Sequence, residues 1–368
     1  KYIITLKPQA DLESHLEHVR AIHANAINHK RQGDGKSFSG VSRSYNISNF
    51  QAYSGHFHSS TIQQLENNKD VDSIEADQIW STHSVVSQQN PANYGLNRIS
   101  QRALKQEEPY LYDSSAGHGT FAYVVDTGVD IDHEEFEGRA FHGYSVDPHT
   151  PLEDTNGHGT YVAGIIGSKT YGVAKKCRII SVKAFKDDKG TVSDILHGFD
   201  WAVKDISTYK RRSISVINIS IGGNFSTSVN RAINTAFDRL GITTVVAAGN
   251  ENEDIAKKSP ASAQNAISVG AVNKARRRAN DSNWGKNMTL FAPGTSVKSC
   301  AIGNSRNATD TLGGTSAAAA HVTGVAVYLQ GMRLFPGDAK SLKARIVGLA
   351  TPHAVLNPND SPNLFIYN

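Results

Sequence analysis

The chain has 368 residues, of which 39% are hydrophobic and 20% charged, with a formal net charge of +4. That length suits two domains, one small and one of ordinary enzyme size, and the composition is that of a folded globular protein. No apolar run is long enough to cross a bilayer, the charge is too weak to argue for a nucleic-acid partner, and two cysteines, Cys177 and Cys300, exclude a disulfide scaffold.

The sequence begins Lys1-Tyr-Ile-Ile-Thr-Leu6, which reads as a strand and lacks the zones of a signal peptide. Without an initiator Met, removal of an upstream segment and export are expected. Residues 1 to 80 then read as strand, helix, strand, strand, helix, strand. The first helix carries Leu12, Leu16, Val19 and Ala26 at helical spacing, and the second, near residues 60–68, carries Ile62 and Leu65. A Gly- and Ser-rich turn is expected around Gly33 to Ser42, a strand over Phe50 to Phe57, and an edge strand over Val71 to Ile79. That order predicts a small ferredoxin-like α+β domain.

Residues 81–90 hold no periodicity and are polar, so an exposed linker is expected there. From about residue 119 the pattern changes. Apolar β-branched runs at 121–125, 178–185, 215–221, 243–248 and 266–272 alternate with amphipathic stretches such as 193–206 and 228–240. Continuous apolar strands separated by helices predict an α/β domain over 91–368, a parallel sheet with helices on both faces, whose functional groups gather at strand carboxyl ends. The basic runs Lys210 to Arg212 and Arg276 to Arg278 are read as solvated surface.

Three motifs carry chemistry. Asp126 follows the run Ala122-Tyr-Val-Val125 and precedes Thr127-Gly128, so an acid stands where a buried strand meets a turn. His158 lies in Asp154-Thr-Asn-Gly-His-Gly-Thr160, flanked by glycines and followed by small residues that open a helix. Ser316 stands in Gly313-Gly-Thr-Ser316, before Ala317 to Ala320, where its hydroxyl sits at a positive helix end and its amide can face an oxyanion. Taken singly, these residues also fit a turn former, a surface histidine and a helix cap. No Gly-rich phosphate loop follows a strand, which sets aside a nucleotide-binding α/β protein.

Together, in the order Asp, His, Ser, the three resemble the catalytic triad of subtilisin-type serine proteases. The stretch Ala116 to Ala140 resembles the first active-site block of the proteinase K branch of that family. Tyr94-Gly-Leu-Asn-Arg-Ile-Ser100, Tyr171 to Lys176, Ala247-Ala-Gly-Asn250 and Ser259-Pro-Ala-Ser262 resemble further blocks. Residues 1 to 80 resemble the family's inhibitor-type propeptide through Tyr2 to Pro8, Tyr53 to Phe57 and Asp70 to Glu75.

The resemblance implies a secreted endopeptidase of broad specificity, made as a zymogen, with Ser316 as nucleophile, His158 as base and Asp126 as the orienting acid. It implies Asn250 and the Ser316 amide as an oxyanion hole. Substrate is expected as an added strand between Ser220-Ile221-Gly222-Gly223 and Gly190-Thr191-Val192. Self-cleavage is expected near Val86-Ser87, within 82–88, and the partners implied are protein substrates and the chain's own propeptide, acting as inhibitor on a monomer with no membrane or nucleic acid involved.

Several positions depart from the family's pattern. Ala317 and Ala320 stand where relatives carry Met and Pro, and Tyr161 where they carry His. These departures motivate the alternative of a catalytically weakened homologue that acts by binding. No catalytic cofactor is implied. The resemblance places structural calcium near Pro260, but Asn273 replaces a carboxylate and a neutral amide is a weaker ligand, leaving weak calcium here, a site elsewhere, or none. Cys177 and Cys300 do not fall where the branch places its bridge and are expected free. Sequons at Asn46, Asn218, Asn224, Asn280, Asn287, Asn307 and Asn359 suit a secreted glycoprotein, Asn218 least because its run is apolar. His15, His18, His23, His29, His56, His58 and His83 put seven of 15 histidines in the first 86 residues. That bias gives the propeptide a means of loosening as pH falls.

Overall fold

A computed structural model describes residues 1–28, 38–77, 84–104, 108–185, 190–334 and 337–368. His29, His83, Ile79, residues 33–37 of the turn expected at 33–42 and residues 81–83 of the expected linker lie outside them. The chain divides into two compact units, Lys1–Thr82 and His83–Asn368.

In the first unit β1 (Tyr2–Leu6), α1 (Leu12–Asn28), β2 (Gly40–Ile47), β3 (Phe50–His56), α2 (Ser59–Glu66) and β4 (Val71–Ala76) follow one another. The sheet runs β2-β3-β1-β4 and is antiparallel throughout, the ferredoxin-like arrangement. Leu12, Leu16 and Val19 of α1 and Ile62 and Leu65 of α2 bury against Ile4, Leu6 and Tyr53. The 3.6-residue spacing thus becomes one packed face.

The second unit opens with β5 (Val85–Gln88), α3 (Tyr94–Ile99), β6 (Tyr110–Asp113), β7 (Phe121–Asp126), β8 (Ala140–Ser145), α4 (His158–Gly167) and β9 (Arg178–Lys183). It continues through α5 (Val192–Thr208), β10 (Ser215–Ile219), β11 (Gly223–Asn224), α6 (Thr227–Leu240), β12 (Thr243–Ala247), β13 (Lys258–Ser259) and β14 (Ile267–Val272). β15 (Leu290–Pro293), β16 (Val297–Cys300), β17 (Thr309–Leu312), α7 (Thr315–Met332), α8 (Ala339–Leu349), β18 (Thr351–Pro352) and β19 (Leu364–Phe365) complete it. Nine strands form the order β18-β19-β15-β14-β12-β10-β7-β9-β8, parallel except where β18 meets β19.

Both faces are covered. Ala122 and Val124 of β7 point into the core shared with α3, α4, α7 and α8, whereas Phe121, Tyr123 and Val125 point into the core shared with α5 and α6. Two-sided burial explains why these strands read as continuous apolar runs.

Two sequence expectations change. The segment expected as a linker is ordered in part, since Val85–Gln88 pairs antiparallel with Tyr110–Asp113; the β-branched Val85 and Val86 suit a strand once a partner edge is present. Arg276 is not on the surface. It is 2% exposed, donates to the carbonyls of Arg98, Gln101 and Arg102, and lies over the Phe365 ring at 4.3 Å. Burial pulls its pKa down to about 10. The carbonyls that converge from the turn after α3 account for a buried guanidinium there, since five fixed donors satisfy several acceptors at once.

Candidate active site

Asp126 is the last residue of β7, Ser220 follows β10 and Asn250 stands three residues beyond β12. These strands are neighbours in the order β12-β10-β7, so the sheet delivers all three residues to one rim. His158 and Ser316 arrive on helices. His158 is the first residue of α4, preceded by Gly157 at φ 98, and Ser316 is the second of α7, preceded by Gly314 at φ 121. Both glycines hold left-handed backbone that side chains resist, and both helices present amide-rich, positive ends.

Asp126 is fully buried, and His158 Nδ1 lies 2.7 Å from its Oδ1. The carboxylate only accepts, so Nδ1 carries the proton and Nε2 is the basic nitrogen of the neutral ring. Asp126, as the largest influence, holds the His158 pKa above its ordinary value against the opposing effect of burial. Thr127 N–H donates to the same Asp126 oxygen at 2.8 Å and fixes the carboxylate plane.

Asp154 anchors the loop that carries His158. Its Oδ1 accepts from Thr127 Oγ1, Asn156 N and Gly157 N, and its Oδ2 from Thr160 N and Oγ1. Thr127 Oγ1 in turn accepts from Gly159 N at 3.0 Å. Asp154 and Thr127 were not assigned from sequence, although Asp-x-Asn-Gly is a turn signature that points to such a loop.

Ser316 is 8% exposed, and its Oγ donates to the Ser220 carbonyl at 2.9 Å; no hydrogen bond joins it to His158 among the described residues. Ser220 Oγ donates to Asn218 Oδ1 and to the Ser316 carbonyl, and Asn218 Nδ2 donates to Thr323 Oγ1. This chain pins the start of α7 to β10. Asn250 Oδ1 accepts from Thr315 N at 2.8 Å and from Thr315 Oγ1 at 3.0 Å. Because a backbone N–H only donates, the amide orientation is settled and the Nδ2 donors are left for the cleft. Thr315 is a third residue that sequence reasoning missed.

His158, Ser220, Ile221, Gly222, Gly223, Asn250 and Ser316 line one cavity of about 250 Å³. The remaining expected positions lie elsewhere. Gly190 leads into α5, Thr191 caps that helix in a reciprocal box with Asp194, and Val192 is its exposed first residue. Val86 and Ser87 lie in β5, opposite Tyr112 and Leu111. Asn273 Oδ1 accepts from the backbone N–H of Ala275 and Arg277, so the oxygen expected to bind calcium near Pro260 is spent on a turn and the pair does not fit a cation. No cluster of three or more His, Cys, Asp or Glu side chains suited to a metal occurs among the described residues.

The departures from the family's pattern are accommodated. Tyr161 is buried, and its hydroxyl donates to the carbonyls of Val297 at 2.9 Å and Leu312 at 3.1 Å. It thus ties α4 to the hairpin that leads to Ser316. Ala317 and Ala320 are fully buried within α7. Cys177 and Cys300 are free and buried, and burial pushes each thiol up to about 12.

Comparison with known proteins agrees with this architecture. Residues 117–361 match the Subtilase family and residues 1–83 match Peptidase inhibitor I9. Alkaline protease 1 of Aspergillus oryzae is 44% identical over 100% of this chain and 91% of its own length. Subtilisin-like protease 2 of Arthroderma otae is 41% identical over 100% of this chain and 88% of its own. The crystal structure of a cold adapted subtilisin-like serine proteinase superposes with a TM-score of 0.68 at 35% identity, covering 74% of this chain and 97% of that one. The chain therefore belongs to the subtilase family and is a serine endopeptidase preceded by an inhibitor-type propeptide.

Proposed function

We propose that the protein is the self-cleaving zymogen of a secreted, monomeric endopeptidase of broad specificity, with Asp126, His158 and Ser316 as its triad. Ser316 Oγ leaves the Ser220 carbonyl, passes its proton to His158 Nε2 and attacks the scissile carbonyl. The Asn250 Nδ2 group and the Ser316 amide take up the negative charge on the carbonyl oxygen. The imidazolium, stabilised by Asp126, then protonates the leaving amine. Water, activated by the same histidine, hydrolyses the acyl-enzyme. Substrate backbone pairs with Ser220 to Gly223, Gly190 to Val192 forming the opposite wall, and the side chain on the acyl side of the scissile bond enters the cavity beside Ser316.

One observation carries this reading: the His158–Asp126 pair opens onto the same cavity as Ser316 and the free amide of Asn250. Maturation cuts near Val86-Ser87, which requires β5 to release β6. Export suits glycosylation at exposed sequons, among which buried Asn218 is not counted. No helix among the described residues is long and apolar enough to cross a membrane, and neither membrane nor nucleic acid is assigned as a partner. A fluorophosphonate probe tests the reading. It is expected to label Ser316 of the processed chain, while Ser316→Ala yields an unlabelled chain that keeps residues 1 to 86. A processed Ser316→Ala chain, produced alone, would contradict self-cleavage.

A further inference from the structure

Three consecutive residues at the start of α7 are each held by a side chain. Thr315 N donates to Asn250, and the Ser316 carbonyl accepts from Ser220 Oγ at 3.3 Å. The third is Ala317, whose carbonyl accepts from His321 Nδ1 at 2.8 Å. His321 stands one turn further along α7 and is fully buried. Its other ring nitrogen, Nε2, lies 3.2 Å from Nδ2 of Asn93, which is fully buried and caps α3.

The protons of this link are placed by its partners. Asn93 Oδ1 accepts from Gly95 N at 2.8 Å and Nδ2 donates to the Tyr171 carbonyl at 3.1 Å, so the amide cannot be turned round. The second Nδ2 proton goes to His321 Nε2, and because a carbonyl only accepts, the ring's own proton sits on Nδ1, toward Ala317. Gly95 lets α3 approach the ring: a methyl group there would collide with His321 Nε2. Burial, opposed by the carbonyls of Ala317 and Pro293, lowers the His321 pKa to about 4, so the ring is neutral above that pH. The ionisable groups on the elements packed around it are Tyr94 and Arg98 of α3, Tyr171 of the loop after α4, Tyr161 of α4 and Tyr328 of α7; β15 brings none. Burial raises the pKa of all four tyrosines, and Arg98 is turned to Lys274 and Gln101. His158, also on α4, is the base itself.

We propose that Asn93 is a positioning residue for the reaction: by holding His321 it fixes the carbonyl of Ala317, and with it the turn of α7 that presents Ser316. The inference rests on the endopeptidase reading above. Asn93 lies beyond the proposed cut at Val86-Ser87 and so stays with the processed chain. Without its amide, His321 Nε2 becomes a buried acceptor with no donor, and the ring is free to turn from Ala317.

The test measures kcat and KM for succinyl-Ala-Ala-Pro-Phe p-nitroanilide from about pH 6 to 9, on processed enzyme whose active sites are counted with the fluorophosphonate probe. Asn93→Ala is expected to lower kcat about tenfold and to leave KM within about twofold, since a misplaced reacting group costs rate. Asn93→Asp keeps the size of the side chain and the acceptor for Gly95 N, but sets a carboxylate against Nε2, so one proton must be held between the two. The ratio of its kcat to that of the wild type is expected to fall at least about tenfold from pH 6 to 9, as that proton is lost and two acceptors face each other. Taking the ratio cancels the titration of His158, and packing alone would leave it constant. A ratio that does not change with pH, a kcat loss below about twofold in Asn93→Ala, or a loss carried by KM overturns the proposal. Failure of both variants to fold would make Asn93 a folding residue and overturn it too. Failure of the wild type to cleave the peptide or to take up the probe instead overturns the endopeptidase reading.

Discussion

Asn250 Oδ1 takes two hydrogen bonds from Thr315, the residue directly before Ser316, so the side-chain donor and the backbone donor of the proposed oxyanion hole are fixed to each other. Thr315 Oγ1 also accepts from Gly249 N at 3.0 Å, closing the link to the loop after β12. Asn250→Ala is expected to lower kcat by ~10² to 10³ with little change in KM, because the lost bond forms only as charge develops. Thr315→Val removes one hydrogen bond that orients Asn250 and is expected to cost about fivefold to tenfold in kcat. Steady-state kinetics with active-site titration decide it; an equal loss from both variants would show that Thr315 does more than orient Asn250.

What the sequence made legible follows from periodicity and punctuation. β7, β9, β10, β12 and β14 were readable because burial on both faces leaves uninterrupted apolar runs, and α5 and α6 because one buried face imposes a helical repeat. β8 and β15 were not: β8 is only partly buried, and β15 is four residues long and ends at Pro293, so neither shows a pattern before its neighbour is present. Asp126, His158 and Ser316 stood in recognisable motifs, whereas Asp154, Thr315 and Ser220 Oγ contribute through contacts across up to 96 positions of chain that spacing does not encode. Arg276 was misread because a charge run says nothing about carbonyls that converge from another turn.

The pH dependence follows from the Asp126–His158 pair. The carboxylate raises the His158 pKa above 6.5, and in the proposed mechanism the neutral ring is the form that accepts the Ser316 proton. Activity is therefore present above the raised pKa and lost as pH falls through it. The acidic limb of kcat/KM is expected above pH 6.5. Asp126→Asn is expected to move that limb down and to lower kcat by up to ~10⁴, since the ring loses its orienting acceptor. A limb at or below 6.5 in the wild type would contradict the pairing.

Oxidation gives an independent check on the surroundings of Ser316. Ala317 places a methyl group directly after Ser316, where the family's pattern has an oxidisable thioether, and the chain's two methionines include Met288 at 2% exposure. Wild type incubated with hydrogen peroxide is expected to keep most of its activity, while Ala317→Met loses it over the same time. Rapid loss in the wild type would assign the liability to another group.

In the first unit, His15 is 3% exposed, its Nε2 lies 3.2 Å from Tyr53 Oη, and Asp70 stands 3.9 Å from its Nδ1. Burial outweighs Asp70 and lowers its pKa, with His18 acting in the same direction. Below pH 6.5 the unfolded unit binds a proton that the folded unit refuses, so stability falls as pH falls through that range and is fully present above it. Hydrogen-exchange protection of β1 and β3 amides in the Ser316→Ala chain is expected to drop from pH 7 to 5, after correction for intrinsic rates, and to drop less in His15→Gln. Equal drops in both chains would move the effect to another histidine.

Lys175 acts with the same sign in a higher pH window. It is 9% exposed, donates to the carbonyls of Thr170 at 3.1 Å and Gly172 at 2.9 Å, and lies within 6 Å of the Tyr110 and Tyr112 ring centres. Burial, aided by Arg139 and opposed by Glu135, lowers its pKa to about 7. Between pH 7 and 10.5 the unfolded chain holds a proton that the folded chain has released, so this residue makes stability rise with pH across that window. Neutral lysine still donates to both carbonyls, whereas Lys175→Met leaves them without that partner, at a cost of roughly 1–3 kcal/mol. Urea unfolding of both chains on the Ser316→Ala background is therefore expected to show a stability gap that widens from pH 7 to 10. A constant gap would mean that the ammonium is not held at a cost in the folded protein, and that Lys175 contributes only its hydrogen bonds.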